Sequence, residues 1–302
     1  KRETITSNVR TLDKLTLVVS NNCNLKCKYC YVDGGNHDKR IKDSLMSESV
    51  AVDTINYIYN RYDKVELIAF FGGEPLLNLP VIKKTVNYIS ELYKQGKIKS
   101  TPSYSITTNG TIFSKEMFSF FNEHNFNVCF SLDGTAETHN ILRPYKNGKG
   151  TYNTIQKNIQ ITQKLFPNIK LAYSTTYTKI HYDQGLSINE LRDFFNKEFN
   201  LKFGAIVPVM DVTQKEESYA VSDNNKLYDL LMEDKEVVWD SYIKGEPIID
   251  TETMDFMMLF LKKGISKYIC QMGITLITIN SNGDIYPCQT LLNNQEMIMG
   301  NI

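Results

Sequence analysis

The chain has 302 residues, 42% hydrophobic and 23% charged, a composition that suits one large or two smaller folded domains. Lys plus Arg equals Asp plus Glu at 34 each, so no net field favours nucleic acid or an anionic membrane surface, and no apolar run approaches the roughly 18 residues that span a bilayer. Six cysteines with no secretory segment ahead of them point to the cytoplasm and to thiols kept as ligands.

Residues 1–13 are polar and read as a lead-in. From Lys14 to about residue 212, short β-rich apolar runs alternate with longer segments of helical period, the pattern of a parallel α/β sheet or barrel. The spacing predicts strands over 15–19, 65–71, 103–107, 127–132, 171–177 and 204–209. Helices are predicted over 47–61, 79–95, 114–124, 151–165 and 187–198, the first capped by Ser47. Only about 200 residues carry the alternation, fewer than the roughly 250 of an eight-stranded barrel. The alternation then stops. Residues 213–264 read as a helical bridge that opens with a polar loop, with helices over 226–243 and over the Met- and Phe-rich 252–263; the latter reads as core. Residues 265–302 form a last unit, with a hairpin over 275–279 and 285–286 around the turn 280–284.

Three cysteines, Cys23, Cys27 and Cys30, fall in a C-x3-C-x2-C loop directly after the first strand. Three thiolates from one loop leave one iron of a four-iron cluster without a protein ligand, free to bind a small molecule. A structural zinc loop is the alternative, with His37 as the nearest fourth ligand. Gly72-Gly73-Glu74-Pro75 closes the second strand: paired glycines let a ligand approach the backbone, and the carboxylate is suited to an ammonium. Asn109-Gly110 and Asp133-Gly134 are turn formers that end the third and fourth strands, on the rim where barrel enzymes keep their sites. Cys129, inside the fourth strand, reads as a small buried hydrophobe. His37, His124, His139 and His181 are scattered without metal spacing, and read as surface or core polar residues. Cys270 and Cys288, in the pattern C-x12-G-x4-C, would be drawn together by the hairpin.

The cysteine spacing, the aromatic Tyr29 before the third cysteine, and Gly-Gly-Glu-Pro about 40 residues later together resemble the radical S-adenosylmethionine (SAM) enzymes. The resemblance implies an open six-stranded (β/α) barrel in which Cys23, Cys27 and Cys30 hold a [4Fe-4S] cluster and SAM chelates the fourth iron. It places Tyr29 against the adenine and Gly72, Gly73 and Glu74 at the methionine end. Asn109, Ser131 and Asp133 would face the SAM ribose or carboxylate, and Arg143 the carboxylate. Cys270 and Cys288 resemble the start of a SPASM extension, which implies one or two auxiliary iron–sulfur clusters completed by cysteines beyond Ile302. Within that family the segment looks most like maturases of ribosomally made peptides of the sactipeptide and ranthipeptide type. The expected partners are then a precursor peptide and a low-potential donor such as flavodoxin or ferredoxin, and the expected product is a thioether. The runner-up is an anaerobic sulfatase-maturing enzyme. A reading of another class is a non-catalytic zinc- or cluster-binding interaction protein. No side chain identifies itself as a general base.

Overall fold

The computed structural model describes residues 10–32, 34, 44–209, 218–246 and 270–302. Its frame is six parallel strands in sequential order: β1 (Thr11–Ser20), β2 (Lys64–Gly72), β3 (Ser103–Thr108), β4 (Asn127–Ser131), β5 (Lys170–Tyr177) and β6 (Gly204–Pro208). The connecting helices are α1 (Glu48–Tyr59), α2 (Leu79–Lys94), α3 (Lys115–Glu123), α4 (Ala136–Leu142), α5 (Tyr152–Leu165), α6 (Lys179–Asp183) and α7 (Ile188–Phe199). Alternate strand residues, among them Leu17, Phe70, Ile106, Phe130 and Tyr173, share one buried core with helix residues such as Ile55, Ile89, Phe121, Ile155 and Phe195. Because side chains alternate along a strand, the other face carries Ser105, Thr107, Cys129, Ser131, Ser174 and Thr176. Sequential order with every crossover stepping the same way is the connectivity of a barrel; a doubly wound sheet reverses direction.

All six predicted strands are present. The first starts earlier than expected: Thr11 and Leu12 already pair with Lys64 and Val65, and Leu12 is fully buried, although Asp13 and Lys14 make the segment look polar. Helices α4 and α6, of seven and five residues, were not expected because they are too short to show a period. Helix α1 is capped by Ser47, as the sequence implied.

Helix α8 (Asn224–Ile243) matches the predicted 226–243; the predicted helix 252–263 and His37 lie outside the described residues. Arg192 of α7 grips Asp234 of α8 through two bonds of 2.7 and 3.1 Å, both side chains almost fully buried. Arg192→Met would leave a buried carboxylate with Lys235, 3.8 Å away, as its remaining cation among the described residues. Its expected cost is about 3–5 kcal/mol in denaturant unfolding, with much of it recovered in the Arg192→Met/Asp234→Leu double variant.

The predicted hairpin forms from β7 (Leu276–Ile279) and β8 (Asp284–Tyr286), followed by β9 (Gly300–Asn301). Asn280 Oδ1 accepts from the amides of Asn282 and Asp284, and Gly283 takes φ +87°. Its docking was not legible in sequence. β7 pairs parallel with β1, Lys14 opposite Leu276 through Leu17 opposite Ile279, so the barrel sheet continues into the extension. Tyr286 and Leu292 pack on Val18 of β1, with Phe71 and Ile298 against them. Among the described residues no helix is long and apolar enough to cross a membrane.

Candidate active site

The cysteine loop leaves the C-terminal end of β1. Cys23 is buried, and Cys27 and Cys30 are half-buried. N–H groups donate to each sulfur: Leu25 N (3.4 Å) and Asn109 Nδ2 (3.8 Å) to Cys23, Arg143 Nη1 (3.9 Å) to Cys27, and Gly34 N (3.4 Å) to Cys30. Donors of this kind suit thiolates bound to iron. Burial, with the Glu74 charge adding to it, raises Cys23, and burial against the opposing Arg143 charge pushes Cys27 up to about 12, so these two are neutral thiols when free and a metal centre would deprotonate them. Among the described residues no three Cys, His, Asp or Glu side chains gather around one ion. A zinc ion would need its thiolates all about 2.3 Å from a single point. A four-iron cluster binds each thiol to its own iron, and the donor set fits that group.

The Gly-Gly-Glu-Pro turn clamps this loop. Gly73 N donates to Ser20 O and Glu74 N to Asn22 O, both at 2.8 Å. These two amides are thus occupied by the loop's carbonyls. No donor among the described residues is bonded to the Gly73 carbonyl. Glu74 is fully buried: Oε1 accepts from Leu76 N and Thr108 Oγ1, and Oε2 from Asn109 N at 2.7 Å. Burial raises its pKa to about 7 against those donors. Its carboxylate therefore joins β2 to the end of β3. Asn109 continues the joint, donating from Nδ2 to Asn24 Oδ1 at 2.8 Å.

A second joint centres on Asp133, also fully buried. Its Oδ2 accepts from Tyr29 OH (2.5 Å) and Arg143 Nε (2.8 Å), and its Oδ1 from Thr176 N (3.2 Å). Tyr29 is thereby tied to Asp133, with its ring 5.4 Å from the Arg143 guanidinium. Arg143 is no surface residue; its side chain is 11% exposed. Ser131 lies half-buried on the inner face of β4. Cys129 lies there too, half-buried, because the core face belongs to Val128 and Phe130. The expectation of a buried hydrophobe is corrected by that alternation.

Two histidines that the sequence leaves without a role hold the Asp133 turn. His139 Nδ1 accepts from Asp133 N while its Nε2 donates to Thr151 Oγ1; His181 Nδ1 accepts from Thr178 N while its Nε2 donates to Asp133 O. Each ring is thus a neutral tautomer, and burial lowers both pKa values, His139 to about 4. A base with a depressed folded pKa binds fewer protons folded than unfolded, so its stabilisation is complete above about pH 6.5 and is lost as pH falls toward about 4. For His139 the loss is on the order of 3 kcal/mol. His139→Gln should flatten the pH dependence of unfolding across that window.

In the extension Cys270 is exposed and Cys288 half-buried, accepting from Thr290 Oγ1 at 3.3 Å. A side chain at Gly273 would meet Pro287 at 3.3 Å, so the two cysteine segments do adjoin at the hairpin base. The Tyr31 phenol is pushed up by burial and then by Cys30 and Cys288.

Residues 17–196 match the sequence profile of the Radical SAM superfamily. The chain is 29% identical over 285 residues to the Cysteine-type anaerobic sulfatase-maturating enzyme of Clostridium novyi (strain NT), covering 93% of this chain and 74% of that one. The structure of anSMEcpe with bound AdoMet superposes with a TM-score of 0.75 at 21% identity, over 95% of this chain and 77% of that one. Streptococcus suis SuiB bound to precursor peptide SuiA gives 0.66 at 19% identity, over 97% and 63%. At such identities these two likenesses speak for the fold. The chain belongs to the radical SAM superfamily, whose members carry a [4Fe-4S] cluster and SAM.

Proposed function

We propose that this enzyme modifies a residue within a peptide or protein chain, with Cys23, Cys27 and Cys30 as the cluster ligands. The carrying observation is the convergence of the cysteine loop, the Gly72–Glu74 turn, Asn109 and the Asp133–Arg143 pair at the C-terminal ends of β1 to β4. When bound, cluster and SAM supply the reductive cleavage that gives a 5′-deoxyadenosyl radical. The chain's own residues position that chemistry. The Gly73 carbonyl is the acceptor offered to the SAM ammonium, and Glu74 and Asn109 hold the turn and loop in register behind it. Ser131, with Ser174 beside it on the inner face, offers hydroxyls to the SAM carboxylate or ribose. Ser105, Thr107 and Cys129 keep the rest of that inner face to small side chains. The cleavage needs one low-potential electron, which a flavodoxin or ferredoxin of the cytoplasm would supply.

The finer reading is a thioether-forming peptide maturase. It is supported by the adjoining Cys270 and Cys288 segments, which suit an auxiliary cluster that meets the substrate cysteine. Residues 14–212 then form the catalytic barrel, 213–264 a bridge, and 265–302 the start of the cluster-binding extension. The similarity to a cysteine-type sulfatase-maturating enzyme supports a second reading, oxidation of a protein cysteine to formylglycine.

The test uses full-length protein, anaerobically reconstituted, reduced with dithionite, and given SAM and a cysteine-containing peptide encoded beside it. 5′-Deoxyadenosine is the expected co-product, and its absence overturns the enzyme reading. A product that has lost two hydrogens, keeps its sulfur and no longer takes a thiol alkylating reagent is the thioether. A product that has lost sulfur and reacts with hydrazide is formylglycine.

A further inference from the structure

The segment that carries Arg143 runs alongside the cysteine loop as a short backbone ladder. Lys26 N donates to Pro144 O and Lys28 N to Leu142 O, both at 2.9 Å, and Leu25 bridges Tyr145. Arg143 is therefore fixed relative to Cys27 by main chain as well as by its side chain. The guanidinium is aimed: Nε is on Asp133 Oδ2 at 2.8 Å and Nη1 is 3.9 Å from Cys27 Sγ. Asp133 cannot swing away, because Thr176 N and Tyr29 OH hold its other lone pairs, and His139 and His181 hold its backbone.

We propose that Arg143 is a positioning residue that sets the electrostatic field on Cys27, and through it the reduction potential of the cluster, with Asp133 as its matched counter-charge. This rests on Cys27 being a cluster ligand. Reduction adds one negative charge to the cluster. An N–H donor and positive charge on a ligand sulfur favour the reduced state, and an unpaired carboxylate nearby opposes it. Arg143 and Asp133 side by side nearly cancel, so removal of either leaves the other acting alone in a buried setting where screening by water is weak.

The proposal requires opposite shifts. In the absence of SAM, the potential of the cluster signal that Cys27→Ala removes would be followed by paramagnetic resonance during redox titration of the reconstituted full chain. Arg143→Met should move it to more negative values and Asp133→Asn to more positive ones. Unchanged potentials, with only SAM binding weakened in Arg143→Met, would reduce Arg143 to a contact of the SAM carboxylate and overturn the proposal. Shifts of one sign in both variants would overturn it as well. Where either variant fails to hold iron, Tyr29→Phe decides: it keeps the ring, removes one donor from Asp133, and should move the potential to more negative values, whereas no movement counts against the role. Full iron retained in Cys27→Ala would instead overturn the ligand assignment itself.

Discussion

Changing Cys23, Cys27 or Cys30 to Ala in the full-length protein is expected to remove the iron and sulfide of one cluster and to bring 5′-deoxyadenosine to background. Thiolates supply the protein's only bonds to such a cluster. Three ligands also leave no redundancy, since the fourth iron is given to SAM. The folded barrel should survive each change. Of the three, only Cys23 is buried, and none belongs to the continuous apolar core. Circular dichroism near wild type with iron reduced by one cluster is the outcome that supports the assignment. Iron at the wild-type level in any one variant would remove that cysteine from the ligand set. Changing Cys270 or Cys288 should leave deoxyadenosine formation in place while lowering total iron, because these two flank the β7–β8 hairpin and lie outside the loop.

The sequence carries the barrel because each strand is a compact apolar run set between helices of clear period. It carries the cysteine loop because the three thiols fall within eight residues. What it could not carry is who holds whom. Glu74 reads as a ligand carboxylate beside paired glycines, yet its oxygens are spent on Leu76, Thr108 and Asn109, the last two over thirty residues away. Tyr29 reads as an aromatic for stacking, yet its hydroxyl meets Asp133 across 104 positions. His139 and His181 show no spacing at all, because they serve a turn and not a metal. Local chemistry is written locally; the supporting contacts arise only when strand ends are brought to one rim. The pairing of β7 with β1 escaped for the same reason: nothing in Leu276–Ile279 distinguishes a strand that joins the barrel from one that forms a separate unit.

Gly72→Ala is expected to be the most damaging single methyl in the site. A Cβ there would lie 2.2 Å from the Ser20 carbonyl oxygen, with Ser20 C and N at 3.1 Å, and all of these are backbone atoms that cannot rotate aside. Gly72 also holds φ +149°, a region that side-chain-bearing residues avoid. Relief requires β1 and β2 to part at their C-terminal ends, which breaks the Gly73 N to Ser20 O bond three residues ahead of Cys23. Strain and overpacking together should cost about 3 kcal/mol or more. Gly96→Ala is the matched control: φ there is +69°, but nothing lies within 4 Å of the added carbon. Its cost should stay near the ~1 kcal/mol of a left-handed residue. Thermal unfolding of the two variants thus separates close approach from backbone conformation, and iron content after reconstitution reads the consequence at the loop. Gly72→Ala that unfolds alongside Gly96→Ala and loads a full cluster would show that the strand ends yield without disturbing the cysteines. Loss of both stability and iron in Gly72→Ala alone would make the paired glycines a steric requirement of the cluster loop, apart from any contact they make with SAM.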